Sequence, residues 1–140
     1  MRHRILVGTT KGAFILTSSD DRKSWSLTGP HCDLWPINHV VGDPKTGHLW
    51  AGGGGEWTGA GIWRSTDDGA SWSGARILRR CEAGFSAHNP VAIVTASGRV
   101  ILWASRYQYG PNLRHPCWWS TSDDNGATWS EWTVFDPSQQ

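Results

Sequence analysis

The 140-residue sequence is poor in several features that would assign a class quickly. Its three cysteines, Cys32, Cys81 and Cys117, are an odd set without CxxC spacing. That speaks against a disulfide scaffold or a paired-thiol redox motif, and reduced thiols are expected. No apolar run approaches a membrane span, and "MRHRILVGTTKG" offers only Ile5, Leu6 and Val7 before Gly8, too few for a signal-peptide core. The expected location is the cytoplasm, with secretion the alternative if a leader has been trimmed away. An excess of one charge is missing too: 13 basic and 12 acidic side chains leave a net +1. That balance gives no electrostatic footprint for nucleic acid or an anionic membrane, and neither is expected as a partner. No ten-residue window free of Gly and Pro carries helical periodicity. "GGGG" at 52–55 lacks a following Lys-Ser/Thr, so it does not read as a phosphate loop.

What is abundant is glycine, with 17 residues, and tryptophan, with 11. A chain this long fits one domain, 1–140, and can bury roughly 68–70% of its unfolded surface. Gly with aromatic and β-branched residues suits short strands joined by tight turns. Eleven strands are expected, near 3–9, 12–18, 25–28, 38–42, 47–52, 61–65, 72–78, 90–96, 99–105, 117–121 and 129–135. An eight-residue phrase recurs among them: "STDDGASW" at 65–72 and "SDDNGATW" at 122–129, with a degenerate "SSDDRKSW" at 18–25. Self-similarity at this period signals stacked or radial repeats, each a small sheet. Four strands per period is the propeller blade. The expected fold is all-β, about three blades of four antiparallel strands: blade one at 1–30, incomplete, blade two at 36–79 and blade three at 88–136. No strand is left over to complete blade one, so the chain is expected to be part of a longer propeller or half of an oligomeric one.

The repeated phrase reads as a staple between the third and fourth strands. Its framework is Ser18, Asp20 and Trp25 in the first copy, Ser65, Asp67, Gly69 and Trp72 in the second, and Ser122, Asp124, Gly126 and Trp129 in the third. The aspartate can accept N–H bonds from the residues that follow, the glycine can take positive φ, and the tryptophan is expected to open the outgoing strand. Asp67 and Asp68 do not suggest an acid/base pair, because neighbours on an extended turn point apart. In this form, S-x-D-x-G-x-[ST]-W, the phrase resembles the Asp-box, or bacterial neuraminidase repeat, of sialidase-like β-propellers. "ILVGTTKGAFILTSSDDRKSW" with "WPINHVVGDPKTGHLWAG" is similar to the opening blades of bacterial Asp-box proteins, and "NPVAIVTASGRVILWASR" to the strand pair before an Asp-box in sialidases.

Recognition is expected at the end opposite the staples, in the loops at 29–38, 52–61, 79–89 and 106–117. The candidate ligand-binding residues there are Asp33, Glu56, Trp57, His88, Asn89, Arg106, Tyr107 and Arg114. Forked hydrogen-bonding groups beside aromatic faces suit a sugar, and arginines suit a carboxylate; the alternative for each is a solvated loop residue. The resemblance implies a sialidase set of three arginines, a Tyr–Glu nucleophile pair and an acidic proton donor. The position of its Arg-Ile-Pro motif carries His88-Asn89-Pro90, and no acidic residue lies between Arg106 and Cys117. The catalytic residues are therefore unassigned and the isolated chain is expected not to hydrolyse sialosides. "HCD" at 31–33 and "HPC" at 115–117 hold zinc-type ligands at spacings that match no common zinc module, so no metal or other cofactor is expected. Two functions remain open: glycan recognition or a glycoside-hydrolase-related role for a sialidase-like module, and a non-catalytic scaffold whose partner is a protein, including a second copy.

Overall fold

Short apolar–polar alternations broken by Gly, Asp and Asn pairs lay the chain down as consecutive antiparallel strands. The structure, a computed structural model, describes residues 2–55, 57–108 and 116–135. Sheet one contains β1 (His3–Thr9), β2 (Gly12–Ser18) and β3 (Trp25–His31). Sheet two contains β4 (Ile37–Gly42), β5 (Leu49–Gly55), β6 (Gly59–Ser65) and β7 (Arg76–Arg79). Sheet three contains β8 (Phe85–Val94), β9 (Val100–Gln108), β10 (Cys117–Ser122) and β11 (Thr133–Phe135). In each sheet the hydrogen-bonded order follows the sequence order, and the three sheets do not close into a ring.

Several boundaries differ from expectation: β3 runs on to His31, β5 covers Leu49–Gly55 and β6 begins at Gly59, so parts of the expected loops 29–38 and 52–61 are strand. Trp72 and Trp129 do not open the outgoing strands, which begin four residues later at Arg76 and Thr133. Ser73 and Ser130 explain the delay: their hydroxyls accept the N–H of Arg64 and of Thr121, both at 3.0 Å, taking the place of a ladder carbonyl. In the other direction, β8 starts at Phe85 and absorbs His88 and Asn89, while β9 runs on to Gln108. The two strands pair around a bulge between His88 and Val91, where Asn89 takes φ +46° and Pro90 has no N–H to give.

The two complete staples have the same geometry. In the second copy Asp67 Oδ1 accepts the Ser65 hydroxyl at 2.8 Å and the Ser71 N–H at 2.9 Å, and Oδ2 accepts the Ser71 hydroxyl at 2.5 Å. In the third, Asp124 accepts from Ser122, the Thr128 N–H and the Thr128 hydroxyl at 2.8, 2.8 and 2.6 Å. Gly69 and Gly126 sit at φ +91° and +82°, and their N–H groups close the turn on the serine oxygens. In the first copy Asp21 accepts the Ser19 hydroxyl at 2.8 Å and the Lys23 N–H at 3.2 Å, while Ser18 donates to the Ser24 carbonyl. Arg22, where the other copies have glycine, holds φ +53°.

Faces follow from counting back from the staple serines Ser18, Ser65 and Ser122. Odd offsets face the following sheet: Ile15 and Ala13 in β2, Ile62 and Ala60 in β6. Even offsets face the preceding one: Trp63 in β6, Trp118 in β10. Sheets one and two therefore meet through Ala13, Cys32, Ile37, Val40, Ala51 and Trp63, with Trp72 against them. Sheets two and three meet through Trp50, Ile62, Ala92, Val100 and Leu102, with Trp129 and Trp132 alongside. Trp50, Trp63 and Trp118 are fully buried. Each is worth about 4–6 kcal/mol of apolar burial as an upper bound. Close approach is set by Gly52, where a Cβ would lie 2.4 Å from the Pro90 carbonyl oxygen.

Arginines finish the sheet–sheet joints. Arg4 Nη1 donates to the Asp68 carbonyl at 3.1 Å and pairs with its carboxylate, so sheet one grips the second staple. Arg64 Nη1 donates to the Asn125 carbonyl at 2.8 Å and Arg76 Nη1 to that of Ala127 at 2.7 Å, so sheet two grips the third.

Candidate functional site

Antiparallel order puts the staples at one end and the loops between β3 and β4, β5 and β6, β7 and β8, and β9 and β10 at the other. At that loop end sheets two and three are separated by small residues, Ala60, Ala87 and Ala104. The space they leave is filled by rings and guanidinium groups. Arg106, opposite Ala87 in the β8–β9 ladder, lays its guanidinium 3.5 Å above the centroid of Phe85 and 5.4 Å from that of Trp118. Arg79, at the end of β7, lies 4.3 Å from the Trp118 centroid and pairs with Glu82. Stacking of this kind favours Arg, whose flat cation is weakly hydrated. The Nε atoms of both arginines are buried without a hydrogen-bond partner. Among the described residues no carboxylate pairs with Arg106.

The remaining candidates divide between surfaces. Tyr107 follows Arg106 in β9 and so points to the opposite face of sheet three. There it meets His88, edge to face at 5.9 Å between centroids, and His88 Nε2 lies within hydrogen-bond reach of the Ser86 hydroxyl. Arg106 and the Tyr107–His88 pair therefore do not line one cleft. Asn89 Oδ1 accepts a hydrogen bond from Asn38 Nδ2 at 3.1 Å, tying the β8 bulge to β4. Asp33 is held by the Trp63 indole, which donates to its Oδ2 at 3.0 Å. It sits in a left-handed run, Cys32, Asp33 and Leu34, with φ of 68°, 56° and 62°. Trp57 is 92% exposed. Glu56 and Arg114 lie outside the described residues.

Burial, with the Asp33 charge adding to it, pushes the Cys32 thiol up to about 12, so it stays neutral, and burial holds His31 below its ordinary value. Among the described residues no three His, Cys, Asp or Glu side chains converge as a metal site. Among the described residues, two grooves lie at the staple end. A groove of about 380 Å³ runs between Ile62, Arg64, Arg76 and Gly126, and one of about 260 Å³ between Asp43, Lys45, Val94 and Thr95. Arg64 and Arg76 are already committed to backbone carbonyls there, and Lys45 Nζ to that of Ala96. Sequence reasoning had no signal for Phe85 and Trp118 as supports of Arg106, because these contacts depend on how β8, β9 and β10 pair within sheet three.

The sequence matches no family model and no curated protein. Its backbone is similar to those of several solved structures, among them these two. A Hadza microbial sialidase, Hz136, is 16% identical with a TM-score of 0.56, the match covering 93% of this chain and 34% of that one. A protein of unknown function from Dyadobacter fermentans DSM 18053 is 17% identical with a TM-score of 0.54, covering 89% of this chain and 38% of that one. The chain thus spans little more than a third of either structure, and what it shares with them is an all-β fold.

Proposed function

We propose that the three sheets are blades of a sialidase-like propeller, and that its loop end recognises a glycan bearing an acidic group rather than hydrolysing one. The observation that carries this reading is Arg106. A half-buried guanidinium stacked on Phe85 without an acidic partner among the described residues is costly unless a ligand supplies the anion. Its Nη groups remain able to fork onto a carboxylate or sulfate, while the neighbouring Arg79 is engaged by Glu82. Exposed Trp57 offers a ring for the C–H face of a sugar. His88 and Asn89 stand where the resemblance calls for the first arginine of a hydrolase, which favours recognition over turnover.

The test is calorimetric titration of the purified chain with sialylated, sulfated and neutral oligosaccharides. Binding confined to the acidic glycans and lost in Arg106→Ala, with Arg106→Lys recovering only part, is expected. Equal binding of neutral glycans, or none at all, overturns the reading. Release of the aglycone from a fluorogenic sialoside overturns its non-hydrolytic part.

A further inference from the structure

Among the described residues the two outermost sheet faces are apolar and uncovered. On sheet one the even-offset face carries Ile5, Leu16 and Leu27 side by side across β1, β2 and β3, with Ile5 49% and Leu27 63% exposed. On sheet three the odd-offset face carries stacked Trp103 and Trp119, 6.2 Å between centroids, with Phe135 edge-on at 6.2 Å and Ile93 beside them, 45% exposed. Exposed apolar surface of this kind marks an interaction site.

The roles of the two faces say what fits them. Inside the chain every sheet–sheet joint sets an odd-offset face against the even-offset face of the next sheet. The joint between sheets one and two does this with Ala13 and Trp63, and that between sheets two and three with Ala60 and Trp118. The chain is left with one face of each kind: even on sheet one, odd on sheet three. They are the two halves of the contact it makes twice already. The charge balance of +1 puts no long-range repulsion between copies.

We propose that the outer face of sheet three receives the outer face of sheet one from a second copy of this chain, and the reverse, so that two chains close a ring of six sheets. Two head-to-tail contacts related by a two-fold axis satisfy both faces at once, and six falls among the usual four to eight blades. The inference rests on the sheet faces and not on glycan binding, so failure of one leaves the other standing.

Sedimentation equilibrium of the full chain tests it, with Leu27→Arg and Ile93→Arg altering one face each at exposed positions. Near-ultraviolet circular dichroism of the tryptophans reports whether each variant remains folded. Expected is twice the 15.5 kDa chain mass for the parent and the single mass for each folded variant. An equimolar mixture of the two variants should recover some two-chain species, because one intact odd–even contact is restored. A folded parent at one-chain mass overturns the proposal. So does a pair that survives either variant, which would mean like faces meet, or an open-ended polymer, which would mean the contact does not close.

Discussion

Arg64 reaches out of β6 and donates from Nη1 to the carbonyl oxygen of Asn125, 2.8 Å away and 61 residues on. Asn125 holds φ +57°, as Asp68 does at +65° one repeat earlier, and the Asp68 carbonyl is gripped in the same way by Arg4. The left-handed residue of the turn aims its carbonyl out of the sheet, and the preceding sheet supplies the cation. Arg64→Met removes a charged donor from a part-buried carbonyl, and a loss of about 1.5–3 kcal/mol is expected in urea unfolding. Arg64→Lys should return less than half of it, because a point ammonium does not reproduce the planar fork. A variant as stable as the parent would show that the joint is held by apolar burial alone.

Acid should unfasten the staples in a defined window. The Ser71 hydroxyl, then the Ser71 N–H and the Ser65 hydroxyl, hold the Asp67 carboxyl at about 2; the Thr128 hydroxyl, its N–H and Ser122 do the same for Asp124. A folded value below the unfolded one near 3.8 means the charged form is favoured by folding. The stabilisation is complete above about pH 4 and disappears as pH falls through about 2. Urea midpoints should stay level from pH 7 to 5 and fall steeply below 4, and Asp67→Asn should flatten that fall. An unchanged acid limb in the variant would remove Asp67 from the account.

The two staple glycines should not be equally replaceable. Gly126→Ala forces a side chain into φ +82° and should cost about 1–2 kcal/mol. Gly69→Ala carries the same strain, and its Cβ would also fall 2.3 Å from Ile15 Cδ1 in sheet one. A further 1–3 kcal/mol, roughly, is expected from that overpacking. Thermal denaturation of the two variants ranks them, and equal losses would contradict the inter-sheet contact.

Thiol labelling should separate the cysteines. Cys32 is buried, with its thiol pushed up to about 12, whereas Cys81 and Cys117 are partly exposed. In the native protein at pH 8 a disulfide reagent should leave Cys32 unmodified and reach all three only in denaturant. Native modification of Cys32, located by peptide mass, would contradict the packing of the β3–β4 loop.

The strands were legible because their signals are local. Alternation, the Gly–Asp–Asn punctuation and the staple repeat act within ten residues, and β1 and β2 fall at their expected bounds. Boundaries moved where a side chain took over a backbone role. The Ser73 and Ser130 hydroxyls delay β7 and β11, and "HNP" reads as a loop although Asn89 and Pro90 form a bulge inside β8. At the candidate site, the separation of Arg106 from Tyr107 follows from strand periodicity alone. The Arg79–Trp118 contact does not, since it joins β7 to β10 and needs the relative placement of two sheets.

Each sheet is a continuous stretch of chain that packs on its neighbours, and among the described residues only sheet two is covered on both faces by other parts of the same polypeptide. Cooperativity in such an array passes from one unit to the next, as in linear repeat proteins. Amide protons of β5 and β6 should therefore exchange last, with β3 and β11 opening first from the two ends. A lesion at Trp50 or Trp63 would uncouple the whole array, whereas the same lesion in a terminal sheet would shorten it by one.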